Sequence, residues 1–161
     1  MFVHEIDLRK PMASSDWQAL EGWYIDVIKE LDISDDVNPS DLLILNSRIS
    51  KLYTQARFDF AYIKRFAEKL KRQLKRAERQ AYLAVKDIGK NDTERQSLVT
   101  KFLEENKVFN YPVCIYDAID IYEDRLEFIE AVIDDIKSKA ERLITINGAL
   151  KLDAEMSKSY E

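Results

Sequence analysis

The sequence predicts an all-α protein built on a long antiparallel helical hairpin, and three observations lead there. The chain of 161 residues holds only 3 Gly and 3 Pro, too few to punctuate the many turns of a barrel or sandwich. Apolar residues recur at alternating steps of three and four along two long stretches, as in helices packed along a coiled-coil seam. A helix-start signal, Asn38-Pro39-Ser40-Asp41, stands ahead of the first of these stretches.

At the N-terminal end, Phe2, Val3, Ile6 and Leu8 form either a short strand or an anchoring arm. Ser15 then stands three residues before Gln18, at the spacing of a capping box, and Trp17, Leu20, Tyr24, Val27, Ile28 and Leu31 share one face. This spacing predicts a helix over 16–32. Residues 1–37 are thus read as an arm with a short helix, and 38–161 as the hairpin. In Asn38-Pro39-Ser40-Asp41, Asn38 suits the cap, Pro39 the first helical position and Asp41 the positive end of the helix dipole.

The first seam runs Ile49, Leu52, Ala56, Phe60, Ile63, Ala67, Leu70, Leu74, Ala77, Ala81, Ala84, Ile88, with one early extra step of four that shifts its register. Gly89 is expected to cap its C-terminal end. Asn91 or Asp92 then caps a shorter helix carrying Leu98, Val99, Phe102 and Leu103, which ends near Asn106 before the loop Lys107-Val-Phe-Asn-Tyr-Pro112. The second seam runs Ile115, Ile119, Tyr122, Leu126, Ile129, Ile133, Ile136, Ala140, Leu143, Asn147, Leu150, Ala154. Its polar member, Asn147, either sets register and oligomeric state from a buried position or, beside Gly148, marks a frayed end. Tyr53, Phe58, Phe66, Phe128, Val132, Ile144 and Ile146 lie off both seams. One partner helix cannot cover two faces of each, so a homo-oligomer is expected.

Most catalytic chemistry lacks its residues. The single Cys114 excludes an intramolecular disulfide or a Cys-cluster zinc site, and the single His4 leaves little for His-based metal centres or His-assisted catalysis. Cys114, with no basic neighbour in sequence, reads as a small core residue. Asp117, Asp120, Glu123, Asp124, Glu127, Glu130, Asp134 and Asp135 crowd the last helix. They lack the Glu-x-x-His pattern of di-iron bundles, and Glu127-Phe-Ile-Glu130 has no Glu-x-x-Asp at the distance an all-α pyrophosphohydrolase needs. They are read as a solvated face. The expectation is a non-enzymatic protein with no cofactor and no metal. No apolar run approaches a membrane span and the first ten residues do not resemble a signal peptide, so the cytoplasm is expected, that of a host cell if the chain is viral.

Formal net charge is −5, but its distribution is uneven. Residues 1–40 carry three Lys or Arg against nine Asp or Glu, 41–90 carry 13 against five, and 91–161 carry nine against 16. Within the basic block, Arg65, Lys69, Arg72, Arg76 and Arg79 make one helical stripe with Lys64, Lys71 and Lys75 beside it, and Lys86 and Lys90 follow toward the turn. Such a ribbon can track a phosphate backbone. Among it stand Tyr62, Phe66 and Tyr82, of which any exposed ring can stack on a base. The alternative is a solvated face that balances the acids of the last helix or of a neighbouring subunit, in a coiled-coil scaffold or assembly protein such as a phage structural or chaperone component.

The basic helix end Leu74-Lys-Arg-Ala-Glu-Arg-Gln-Ala-Tyr-Leu83, the turn Asp87-Ile-Gly-Lys-Asn-Asp92, and the later Ile133-Asp-Asp-Ile-Lys-Ser-Lys139 and Leu143-Ile-Thr-Ile146 follow one another in an order that resembles the UvsY-type recombination mediators of T4-like phages. The likeness covers roughly 45–155 as a pattern of helices and charges. It implies an oligomeric, helical, single-stranded DNA-binding accessory factor that works with a recombinase and a single-strand-binding protein. It also implies that Lys75, Arg76, Arg79, Tyr82, Lys86 and Lys90 meet DNA, and that Ile133, Ile136, Leu143, Ile146 and Leu150 serve assembly. A longer acidic N-terminal segment and the overall negative charge depart from the family pattern.

Overall fold

The structure, a computed structural model, describes residues 12–31, 33–34, 37–105 and 113–158, without the side chains of Met156 and Lys158. The N-terminal arm or strand, His4, Asn106 and the loop 107–112 lie outside the described residues. The described chain is all-helical: α1 (Ser14–Glu30), α2 (Pro39–Val85), α3 (Asp92–Glu105) and α4 (Ile115–Lys158). By its contacts the chain divides into two compact units, one of Met1–Phe60 with Phe128–Glu161 and the other of Ala61–Glu127. Helices α2 and α4 each contribute to both.

In the first unit, α1 begins without its expected capping box. Ala13 is the N-cap, in extended conformation and with no side-chain bond, while Ser15 is already helical. Trp17 N–H bonds the Ala13 carbonyl at 3.0 Å, and Asp16 in the first turn offsets the dipole instead. The start of α2 is as expected. Asn38 Oδ1 accepts from the backbone N–H groups of Ser40 and Asp41, each at 3.0 Å, and Asn38 Nδ2 donates to the Asp41 carboxylate at 2.6 Å.

Helix α1 packs on both long helices here. Tyr24 on α1 bonds Asp59 on α2, and the Trp17 ring meets Phe128 on α4 edge-on with centroids 5.6 Å apart. Ile49, Leu52 and Ala56 of the first seam and Ile129, Ile133, Ile136 and Leu143 of the second are buried with Leu20, Leu31 and Ile33. Leu42 and Leu43 of α2 line a groove with Leu143 and Asn147 of α4, and Lys137 of α4 lies near Tyr53 and Arg57 of α2. Sequence numbers thus fall along α4 as they rise along α2, so the two run antiparallel.

The second unit holds the rest of α2, all of α3 and the start of α4. Ile63, Ala67, Leu70, Ile115, Ile119 and Tyr122 are buried, and the Phe66 ring stacks on Tyr122 with centroids 6.1 Å apart. Ala81 and Val85 of α2 close its far end against Val99 and Leu103 of α3. Val85, not Ala84, takes the last inward position, and Ala84 and Ile88 of the predicted seam are exposed. Over many turns a strict 3.5-residue repeat and a 3.6-residue helix drift apart, and the final turn has left the seam.

Candidate nucleic-acid interface

The basic stripe occupies the part of α2 that lies in the second unit. Lys64, Arg65, Lys69, Lys71, Arg72, Lys75, Arg76 and Arg79 are all exposed there, and Lys86 and Lys90 are exposed in the turn that follows. Steps of four, three, four and three place Arg65, Lys69, Arg72, Arg76 and Arg79 within one narrow sector of the helix. Lys71 forms an ion pair with Glu123 of α4, and the Lys69 ammonium lies 5.7 Å from the centroid of the Phe66 ring. Among the described residues, Arg65, Arg72, Lys75, Arg76 and Arg79 have no acid within ion-pair distance. The acids of the last helix therefore balance this stripe at Lys71 and leave those five cations facing solvent.

The turn carrying Lys86 and Lys90 is held from three directions. Gly89 N–H bonds the Val85 carbonyl at 3.1 Å. Arg95 Nε donates to the Lys86 carbonyl at 3.1 Å, supplying a partner just past the end of α2, and its guanidinium also bonds Asp92 at 3.0 Å. Asn91 Oδ1 caps α3 by accepting from Glu94 N–H at 2.8 Å, and the Glu94 carboxylate accepts from Lys90 N–H at 2.7 Å. Gly89 does not act as the left-handed cap its position suggested. It is buried, and a Cβ there would stand 2.5 Å from Arg95 Cγ. Its role is to let Arg95 lie across the turn.

Of the three aromatics interleaved with the stripe, Tyr62 and Phe66 face inward. Both are buried, 4% and 3% exposed, with their rings in contact at a 5.1 Å centroid spacing, so neither can stack on a base. Tyr82 is 40% exposed. Beside it Lys75, Glu78, Arg79 and Leu83 of α2, Gln96, Val99 and Thr100 of α3, and Tyr116 of α4 line an open groove of about 770 Å³. Burial, with the charge of Glu78 next in effect, raises the Tyr116 phenol above the usual tyrosine range; the neighbouring Thr100 hydroxyl opposes this. Gln96, Thr100 and Tyr116 were not legible as site residues, because they come from α3 and α4 and carry no motif.

The residues assigned to assembly divide in the same way. Ile133, Ile136 and Leu143 are buried within the chain's own first unit, so they are not free to face a second copy. Ile146 and Leu150 are half-buried and Asn147 is exposed. Helix α4 continues through Gly148 to Lys158, so Asn147 neither sits in this core nor marks a helix end. Phe66 and Val132, placed off the seams, are buried within the chain, whereas Phe58 and Ile144 remain exposed.

Cys114 is half-buried. Among the described residues no three His, Cys, Asp or Glu side chains gather as a metal site requires, and no helix is long and apolar enough to cross a membrane. Comparison with protein-family models, with curated proteins and with solved structures yields no match.

Proposed function

We propose that the chain binds the backbone of single-stranded DNA along the exposed basic face of α2 and the turn after it, as a non-enzymatic accessory factor in recombination. The carrying observation is the row Arg65, Arg72, Lys75, Arg76 and Arg79, exposed and with no described acid in ion-pair reach. Cations held near acids would yield little on meeting phosphate, whereas these each release counterions from the strand when they bind it. The exposed Tyr82 ring among them adds a sequence-tolerant stacking contact. The role beside a recombinase and a single-strand-binding protein comes from the family resemblance, and the homo-oligomer has separate support in exposed Leu43, Ile44, Ile144 and Leu152.

Those same apolar residues favour a second reading, an assembly protein whose basic stripe meets an acidic protein surface. Fluorescence anisotropy of a labelled, unstructured oligonucleotide across a salt series separates the two. Strand binding requires log affinity to fall linearly with log salt, by roughly 0.7 for each phosphate neutralised, and changing Arg72, Arg76 and Arg79 together to Ala must weaken binding and flatten that slope. Absence of binding at low salt, or binding indifferent to the triple change, leaves the assembly reading.

A further inference from the structure

The geometry points to the groove beside Tyr82 and Tyr116 as a nucleobase site, one that prefers bases bearing an exocyclic amino group while Lys75 and Arg79 hold the strand's phosphates outside it. This rests on the strand-binding reading above and adds to it a place for the base and a preference among bases.

The charges are arranged to orient a nucleotide. Lys75 and Arg79 belong to the exposed face of α2, whereas Glu78, between them in sequence, is half-buried and lines the same groove. A phosphate is drawn to the two cations and repelled by the carboxylate, so the neutral base is the part of the strand suited to enter. The groove offers what a base needs. Tyr82 and Leu83, 40% and 63% exposed, present apolar surface, and Val99 of α3 adds more. Gln96 brings an amide that can both donate and accept. At about 770 Å³, the space lies within the range of small-ligand sites.

The carboxylate decides which bases fit. It accepts hydrogen bonds only, so the amino group of cytosine is a suitable partner, as a carboxylate is for cytosine N4 in duplex recognition. Thymine offers a single donor, N3–H, set between two carbonyl oxygens that the carboxylate repels, so it is the poorer partner. A backbone-tracking ribbon alone has no means to tell these bases apart.

The test measures affinity at pH 8 for three strands of equal length: oligo-dC, oligo-dT and an abasic deoxyribose-phosphate strand. Oligo-dC should bind about fivefold or more tightly than oligo-dT, and the abasic strand weakest, with similar salt slopes for all three. Glu78→Gln should bring the dC to dT ratio close to one, since an amide serves donor and acceptor alike. Equal affinity of the wild-type chain for all three strands overturns the groove and leaves backbone binding standing. A dC preference that Glu78→Gln leaves intact also overturns it. Absence of binding to any strand overturns both. The wild-type comparison needs no variant, so a poorly folded Glu78→Gln chain does not shelter the proposal.

Discussion

The Tyr24 phenol donates to the Asp59 carboxylate across 2.7 Å, linking α1 to α2 at a point where both residues are fully buried. Gln55, one turn earlier on α2, donates to the other carboxylate oxygen at 3.0 Å. A carboxylate in an apolar core is tolerable only while its acceptors are filled, so this pair fixes where α1 lies.

Tyr24→Phe should destabilise the chain by about 1.5–3 kcal/mol, the usual worth of a hydrogen bond to a charged group, measured as a lower urea midpoint. It should also change the alkaline behaviour. Burial, then the adjacent Asp59 charge and hydrogen bond, raise the Tyr24 phenol far above its ordinary 10.0. The unfolded chain releases that proton first as pH rises. The stability it contributes is therefore complete below about pH 10 and declines above it. In Tyr24→Phe the decline between pH 9.5 and 11 should be shallower; equal declines would refute the assignment.

Glycine substitutions should take opposite signs. Gly89→Ala places a methyl 2.5 Å from Arg95 Cγ and 3.1 Å from Arg95 N, forcing Arg95 off the turn at a cost of about 1–3 kcal/mol. Gly22 in α1 and Gly148 in α4 have nothing within 4 Å of a Cβ, so Ala at either should stabilise by roughly 0.5–1 kcal/mol. Thermal melts of the three variants read this directly. A neutral Gly89→Ala would mean that the turn does not depend on Arg95.

Two isoleucines on α4 separate folding from assembly. Ile136 is 0% exposed and Ile144 is 72% exposed. Ile136→Asp should unfold the first unit, since it puts an unpaired carboxylate in the core. Ile144→Asp should leave the melting temperature of the chain nearly unchanged and lower the mass found by light scattering, if copies meet through this surface. An unaltered mass excludes it from the interface.

What could be read from the sequence follows from how local each signal is. The Asn38 cap was legible because its donors and acceptors lie within three residues of one another. The two seams were legible because periodicity survives without knowing the partner. The capping box at Ser15 failed because its spacing is common and α1 simply starts two residues earlier, at Ser14 with Ala13 as its cap. Tyr62 and Phe66 could not be told from Tyr82, because exposure depends on which helix lies opposite; Tyr122 covers Phe66, while Tyr82 borders an open groove. Asp59 carried a usable hint: it stands on the apolar face, three residues after Ala56 and four before Ile63, where an acid needs a buried partner.

The division of the chain into units bears on how it folds. The unit Ala61–Glu127 uses one continuous stretch of sequence, whereas the other must bring Met1–Phe60 to Phe128–Glu161. Closing the larger loop costs more chain entropy, and contacts between near neighbours in sequence form faster. Once the middle of the chain has collapsed, the ends of α2 and α4 that the first unit needs are already tethered close together, and much of that closure cost has been met. Pulsed hydrogen exchange should then protect Leu70 and Ile119 before Ile49 and Ile136. On a ribosome the order has a further result: the cationic stretch of α2 acquires its helical partners before Phe128–Glu161, which the first unit needs, has left the ribosome.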